Sequence, residues 1–353
     1  MSDDQENAKD VRYVHVNFPA LKKALDSKSG TLSLNFSEDE APTEVILEEV
    51  NKKGDNNYVV VGRVVGDSES EVSLVMNDDA FVGDVRHGDG KGENYELRAK
   101  GSGLFAIRVP DGDLEEPCEE REEAAIEGEN PIGDIKATAE GKASPLATPV
   151  VRVLGAYTPR ARINQGGTTA IVALIQKGIA DTNRALTDSG INLKVELAGT
   201  METKSNESSS MSSDLSALRS KTDSRFNDVH AKRTSVRADQ VSLIGSYKGY
   251  STAAGIGYVR ASYSNAFTVT KAQYFSQYTF SHELGHNLGL NHSDGYQNSA
   301  GRFRTIIAYG SYPRIRRYSN PNMTYNGYRT GTASHNESSI LRANATRMAS
   351  LIN

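Results

Sequence analysis

The stretch His282–Glu283–Leu284–Gly285–His286–Asn287–Leu288–Gly289–Leu290–Asn291–His292 gathers three of the chain's 7 histidines. On a helix, residues four apart share a face. His282 and His286 therefore point the same way, and both imidazoles can reach one Zn²⁺ at about 2.0–2.1 Å. Glu283 follows the first imidazole and is placed to take a proton from an attacking water. Gly289 lets the chain leave the helix, because glycine adopts a positive φ at little cost. That exit can return His292 as a third ligand. Three protein ligands leave a coordination position open, the mark of a catalytic rather than a structural zinc. The competing reading is an amphipathic helix with incidental histidines. It offers no packing reason for the order ligand, acid, ligand, glycine, ligand.

Around this stretch the second half of the chain alternates strand and helix. Val150–Tyr157 reads as a buried strand and Thr168–Thr187 as a helix, with Ile171, Leu174, Ile175, Ile179 and Leu186 at helical spacing. Ile191–Leu197, Gln240–Gly245 and Gly255–Val259 read as strands. Ser213–Arg233 and Lys271–Leu288 are each predicted as one helix, and Ser338–Ile352 as a closing helix. Strands alternating with helices predict an α/β layered sheet.

The first half is β-rich. Short β-branched runs recur at Arg12–Phe18, Thr31–Phe36, Thr43–Val50, Tyr58–Val65, Glu71–Met76, Ala80–Arg86, Asn94–Arg98 and Leu104–Val109. Their spacing predicts a sandwich or barrel, with a short helix over Pro19–Ser27. Asp111–Glu129 then carries ten acidic residues and one basic residue, Arg121. Asn130–Pro149 is rich in Ala, Gly, Pro, Ser and Thr. Neither has apolar periodicity, so both read as exposed linker. The expected division is a β-rich domain at 1–118, an acidic and flexible linker at 119–149, and an α/β domain at 150–353.

Charge divides the chain at the same place. Residues 1–149 hold 16 basic and 33 acidic residues, and residues 150–353 hold 24 basic and 12 acidic ones, against a whole-chain charge of −5. Opposite fields steer and orient docking, so the halves are expected to bind each other. Two unrelated surfaces are the plainer alternative. Nucleic acid is not an expected partner, because the basic half has no recognised binding motif and no dense basic run beyond Arg314–Ile315–Arg316–Arg317. No membrane is expected either, since no run of 18 apolar residues exists. The single cysteine, Cys118, excludes an intramolecular disulfide framework. Met1–Asp10 is acidic and polar and does not read as a signal peptide. The protein is either secreted with its signal removed or acts inside a cell, for instance as a translocated effector.

The motif at 282–292 resembles that of the metzincin zinc endopeptidases. Val153–Thr158, Asn183–Leu186, Ser189–Ile191 and Ala238–Val241 resemble the bacterial reprolysin-like branch. Phe303–Gly310, with Tyr318–Ser319–Asn320–Pro321, is similar to the peptidyl-Asp metalloendopeptidase group. The resemblance covers about residues 150–353. It implies a metzincin-type α/β catalytic domain, a twisted mixed sheet over the active-site helix, preceded here by a β-rich prodomain. It also implies a latent, secreted zymogen that hydrolyses peptide bonds in protein substrates, with Zn²⁺ as cofactor and its own propeptide as inhibitor.

Several residues take their reading from that resemblance. Metzincins carry a methionine in a tight turn beneath the zinc, and that position here is Ile307, of similar volume. Tyr309, two residues on, is a candidate to approach the developing oxyanion, or else a packed tyrosine. Cys118 is a candidate fourth zinc ligand, a cysteine switch, with an incidental exposed thiol as the alternative. Arg314, Arg316 and Arg317, with Arg302 and Arg304 upstream, are candidates to read an acidic residue just after the scissile bond, with solvated surface as the alternative. Such a preference would make Gly133–Asp134 a self-processing bond. The rival function is a catalytically silent binding protein, toxin or effector that keeps the fold, for which the missing methionine is the support.

Overall fold

The structure is a computed structural model that describes residues 11–14, 17–28, 30–36, 41–88, 92–100, 103–109, 119–121, 147–247, 249 and 253–352. Cys118 and the Gly133–Asp134 bond lie outside the described residues.

The N-terminal part is one open antiparallel sheet of eight strands: β1 (Val11–Val14), β2 (Thr31–Leu34), β3 (Thr43–Gly54), β4 (Asn57–Val64), β5 (Glu71–Asn77), β6 (Ala80–Arg86), β7 (Asn94–Lys100) and β8 (Gly103–Val109). Their spatial order is β1-β8-β7-β6-β5-β4-β3-β2. It is neither the sandwich nor the barrel that the spacing predicts. The reason lies in runs such as Tyr58–Val59–Val60–Val61, which are buried on both faces. One face of the sheet packs Tyr58, Val60, Leu74 and Val85 under Leu21 and Leu25 of helix α1 (Phe18–Asp26). The other face sets Val59, Val61, Val75 and Val82 against Ala173 and Ala180 of the second domain. Helices on both sides do the work of a second sheet.

The second domain has a sheet of β9 (Glu119–Arg121), β10 (Val150–Tyr157), β11 (Lys194–Glu202), β12 (Gln240–Gly245), β13 (Gly255–Tyr258) and β14 (Phe267–Lys271), in the order β11-β10-β12-β14-β13-β9. Strands β10, β11, β12 and β14 run parallel, and β13 is antiparallel to β14. Strand β9 falls in the acidic stretch read as linker, yet it pairs in parallel with β13, Glu119 opposite Ile256. Three residues carry no apolar period, so the sequence gives no sign of it.

After the short α2 (Pro159–Asn164) comes α3 (Thr168–Asp188), the long helix against which the N-terminal sheet rests. The predicted helix at 213–233 is two helices, α4 (Met211–Arg219) and α5 (Asp228–Ser235). Between them the Ser220 and Asp223 side chains accept bonds from nearby backbone N–H groups, a local alternative to helix. The predicted helix at 271–288 is the end of β14, a 3-10 turn over Ala272–Gln277 and then α6 (Thr279–Asn287). Tyr278 between them sits at φ 60°, which interrupts any continuous helix. Helix α7 (Glu337–Met348) closes the chain and packs Leu341, Ala345 and Met348 into the core shared by α3 and α6. Helices α4 and α5 cover the opposite face through Met211, Leu215, Leu218 and Val229. Among the described residues no helix is long and apolar enough to cross a membrane.

Candidate active site

Helix α6 holds the first two histidines. His282 and His286 are fully buried on one side of it. The helix ends at Asn287, and Gly289 turns the chain at φ +105°, which brings back His292, half-buried. The Nε2 atom of His282 lies 3.0 Å from that of His286 and 3.1 Å from that of His292. The far nitrogens of the two helical histidines are fixed as well. His282 Nδ1 faces the Ile306 carbonyl at 2.7 Å, and His286 Nδ1 faces the Leu290 carbonyl at 2.7 Å. A carbonyl only accepts, so each Nδ1 carries the proton and each Nε2 presents a lone pair. Lone pairs aimed at a common point repel unless a cation lies among them. The three residues are the group among the described residues able to hold a metal ion. Burial, reinforced by His286, Arg314 and His292, pulls the His282 pKa well below the ordinary imidazole range. The imidazole is therefore neutral, as a ligand must be. Nitrogen donors with carbonyls orienting them from behind fit Zn²⁺.

Glu283 is fully buried and lies against strand β13. A Cβ at Gly255 would collide with its carboxylate, and one at Gly257 would stand 3.2 Å from its Oε2. The two glycines make room for the acid beside the edge of the sheet. The turn beneath the histidines is built from Thr305 to Ala308, closed by a 3.1 Å bond from the Ala308 N–H to the Thr305 carbonyl. Ile307 is fully buried there, and its Cδ1 would stand 3.1 Å from a Cβ at Gly285. Glycine at 285 thus lets the helix settle on the turn. Tyr309 lies over His292 with ring centroids 3.8 Å apart and remains about half exposed, at 47%.

A model of the metallopeptidase family M12B, reprolysin-like, matches residues 147–336. The chain belongs to that family. It is a zinc metalloendopeptidase. Two relatives from strains of Stenotrophomonas maltophilia, each named peptidyl-Asp metalloendopeptidase, are 29% and 30% identical to it over 294 residues. Those alignments cover 76% of this chain and 67% of each relative. The fold is similar to the crystal structure of metalloproteinase-II from Bacteroides fragilis, with a TM-score of 0.52 and 13% identity. That likeness covers 92% of this chain and 95% of the other, so it includes the N-terminal sheet.

The arginines of the peptidase divide. The Arg314 guanidinium donates to the Gln277 carbonyl at 2.9 Å, just before α6. Arg304 is buried and braces the loop below the site through the Ala308 and Tyr312 carbonyls. Arg316 and Arg317 do not form a solvated surface; both are engaged with the N-terminal sheet and with α3. Arg316 is fully buried and donates to Ser73 Oγ at 2.7 Å and Asp181 Oδ1 at 3.3 Å. Arg317 pairs with Glu69 at 2.7 Å. Sequence reasoning also missed Glu337, which accepts from the Ile307 N–H, and Tyr278, one turn ahead of His282. Nothing in the local sequence marks either one.

Proposed function

We propose that the chain is a latent, secreted zinc endopeptidase whose N-terminal half is its inhibitor, and that it favours an acidic residue after the scissile bond. The observation that carries the peptidase mechanism is the convergence of three Nε2 atoms beside a buried glutamate. His282, His286 and His292 would hold the zinc. When bound, that ion supplies a Lewis acid that polarises the substrate carbonyl and makes water acidic enough to deprotonate near neutral pH. Glu283 takes the proton from the attacking water and later gives it to the leaving amine. Its buried place between α6 and β13 keeps the carboxylate aimed and excludes bulk water. The Tyr309 hydroxyl, on a ring seated against His292, donates to the oxygen that gains charge.

The inhibitor reading is supported by strand β9. An extended substrate is expected to add its backbone to an exposed sheet edge. Here β9 takes the edge of β13, the strand whose Gly255 and Gly257 flank Glu283. Cys118 directly precedes β9, which supports its role as the fourth zinc ligand in the uncleaved chain. Cleavage in the linker beyond residue 121 would free the edge. The acidic preference draws on the name of the relatives and on the arginines at 314–317. Casein hydrolysis tests the reading. The processed wild type should be active and chelator-sensitive, and Glu283→Ala should be silent. Equal hydrolysis by both proteins would overturn it, and silence of both would favour a binding protein that keeps the fold.

A further inference from the structure

The N-terminal domain reaches the arginine segment with two acids. Glu71, at the start of β5, is buried between two elements of the catalytic domain. Its Oε1 accepts the backbone N–H of Arg316 at 2.6 Å, and its Oε2 accepts the Tyr278 hydroxyl. Glu69, two residues earlier, accepts from the Arg317 guanidinium at 2.7 Å. Ser73, two residues later, takes the Arg316 guanidinium, whose remaining acidic partner is Asp181 of the catalytic domain itself. Arg86 covers the Tyr278 ring at 5.5 Å and donates to the Ser276 carbonyl at 2.6 Å, so the N-terminal sheet also covers Tyr278 itself.

These contacts make a carboxylate receptor out of catalytic-domain groups. The ligands seen in them are glutamates from the other half of the chain: the Tyr278 hydroxyl and the Arg316 backbone N–H hold Glu71, and the Arg317 guanidinium holds Glu69 beside it. The receptor stands where a substrate's acid could be read. The Tyr278 carbonyl accepts the His282 N–H, so Tyr278 is one helical turn, about 5.4 Å, before the first histidine. Arg314, Arg316 and Arg317 belong to one short segment, which Arg314 ties to Gln277 just before that turn. A carboxylate bound by several donors in a site shielded from water gains far more than one on the surface, and its uncharged amide isostere leaves donors and charge unmatched.

We propose that Glu71, with Glu69 beside it, is an internal surrogate for the acidic side chain of a substrate. It fills the receptor of Tyr278, Arg316 and Arg317 in the intact chain, and an aspartate or glutamate of the substrate takes its place once the N-terminal domain is gone. Latency and specificity then use the same groups. The inference rests on the reading of the N-terminal half as an inhibitor.

The test uses the full chain and the same chain cleaved in its linker, with two peptides that differ only in Asp or Asn after the scissile bond. Glu69→Gln/Glu71→Gln in the uncleaved chain should raise hydrolysis of the Asp peptide about tenfold, while the cleaved form keeps the parent's preference. Tyr278→Phe in the cleaved enzyme should lower the Asp-to-Asn ratio of kcat/KM about fivefold or more. Thermal melts establish that each variant is folded, and Glu69→Gln alone serves if the double variant is not. A folded glutamate variant as latent as the parent, or a Tyr278→Phe enzyme with an unchanged ratio, would overturn the surrogate alone. A parent chain equally active before and after cleavage would overturn the inhibitor reading and the surrogate with it.

Discussion

The Ile307 backbone N–H donates to the Glu337 carboxylate at 3.1 Å, tying the turn under the histidines to the first turn of the last helix. The same carboxylate accepts the Ser319 N–H. The neighbouring carbonyl, that of Ile306, orients His282. Glu337 therefore positions a ligand through one intervening residue, from 30 residues further along the chain.

Burial raises the Glu337 carboxyl to about 7, against the bonds that Ser319, Thr305 and Ile307 donate to it. A carboxyl whose folded value lies above its unfolded value, about 4.3, favours the folded chain fully below that lower value. The contribution is lost as pH rises through about 7. The melting temperature of the parent, minus that of Glu337→Gln, should fall between pH 5 and pH 8. A difference that stays flat across this window would show that Glu337 does not titrate there.

Ile307 is fully buried in the turn beneath the histidines. Ile307→Met conserves apolar volume and should cost less than about 1.5 kcal/mol with activity kept. Ile307→Ala opens a void beneath α6 and should cost about 2–5 kcal/mol. Its zinc should be lost more readily to a competing chelator, because the turn that holds the Ile306 carbonyl against His282 is loosened. Chemical denaturation and a chelator titration measure the two effects.

Tyr309→Phe keeps the ring on His292 and removes the hydroxyl. Loss of one donor to a developing oxyanion should lower kcat about tenfold or more with little change in KM. An unchanged kcat would leave Tyr309 as a packing residue. Steady-state kinetics on the cleaved enzyme read this directly.

Lys177 is buried with Asp84 and Asp181, one acid from each domain. Lys177→Met removes the cation that Asp84 and Asp181 share, leaving Asp181 only Arg316, and should destabilise the intact chain by about 3–5 kcal/mol. Asp84→Asn should be milder, since burial already raises that acid to about 6. Denaturant unfolding of the full chain would show the order.

The histidine cluster was legible because ligand spacing and a glycine exit depend on a few adjacent residues. The boundaries of α3 were legible too, since Ile171, Leu174, Ile175 and Ile179 keep one period. What local pattern could not give were long-range placements. Tyr278 takes a left-handed φ that its side chain does not advertise, so α6 starts eight residues later than the expected helix at Lys271. The open form of the N-terminal sheet depends on α3, more than 90 residues beyond β5, covering its second face. Arg316 and Arg317 read as candidate partners for a substrate's acid, but in the intact chain the Arg317 guanidinium pairs with Glu69 of the other half and the Arg316 guanidinium with Asp181 of α3, which no local pattern shows.

Anomalous diffraction at the zinc edge from crystals of the intact chain tests the central claim most directly. The account predicts one peak per chain, about 2.0–2.1 Å from the Nε2 atoms of His282, His286 and His292. A peak elsewhere, or any of the three rings turned away from the zinc, would contradict it.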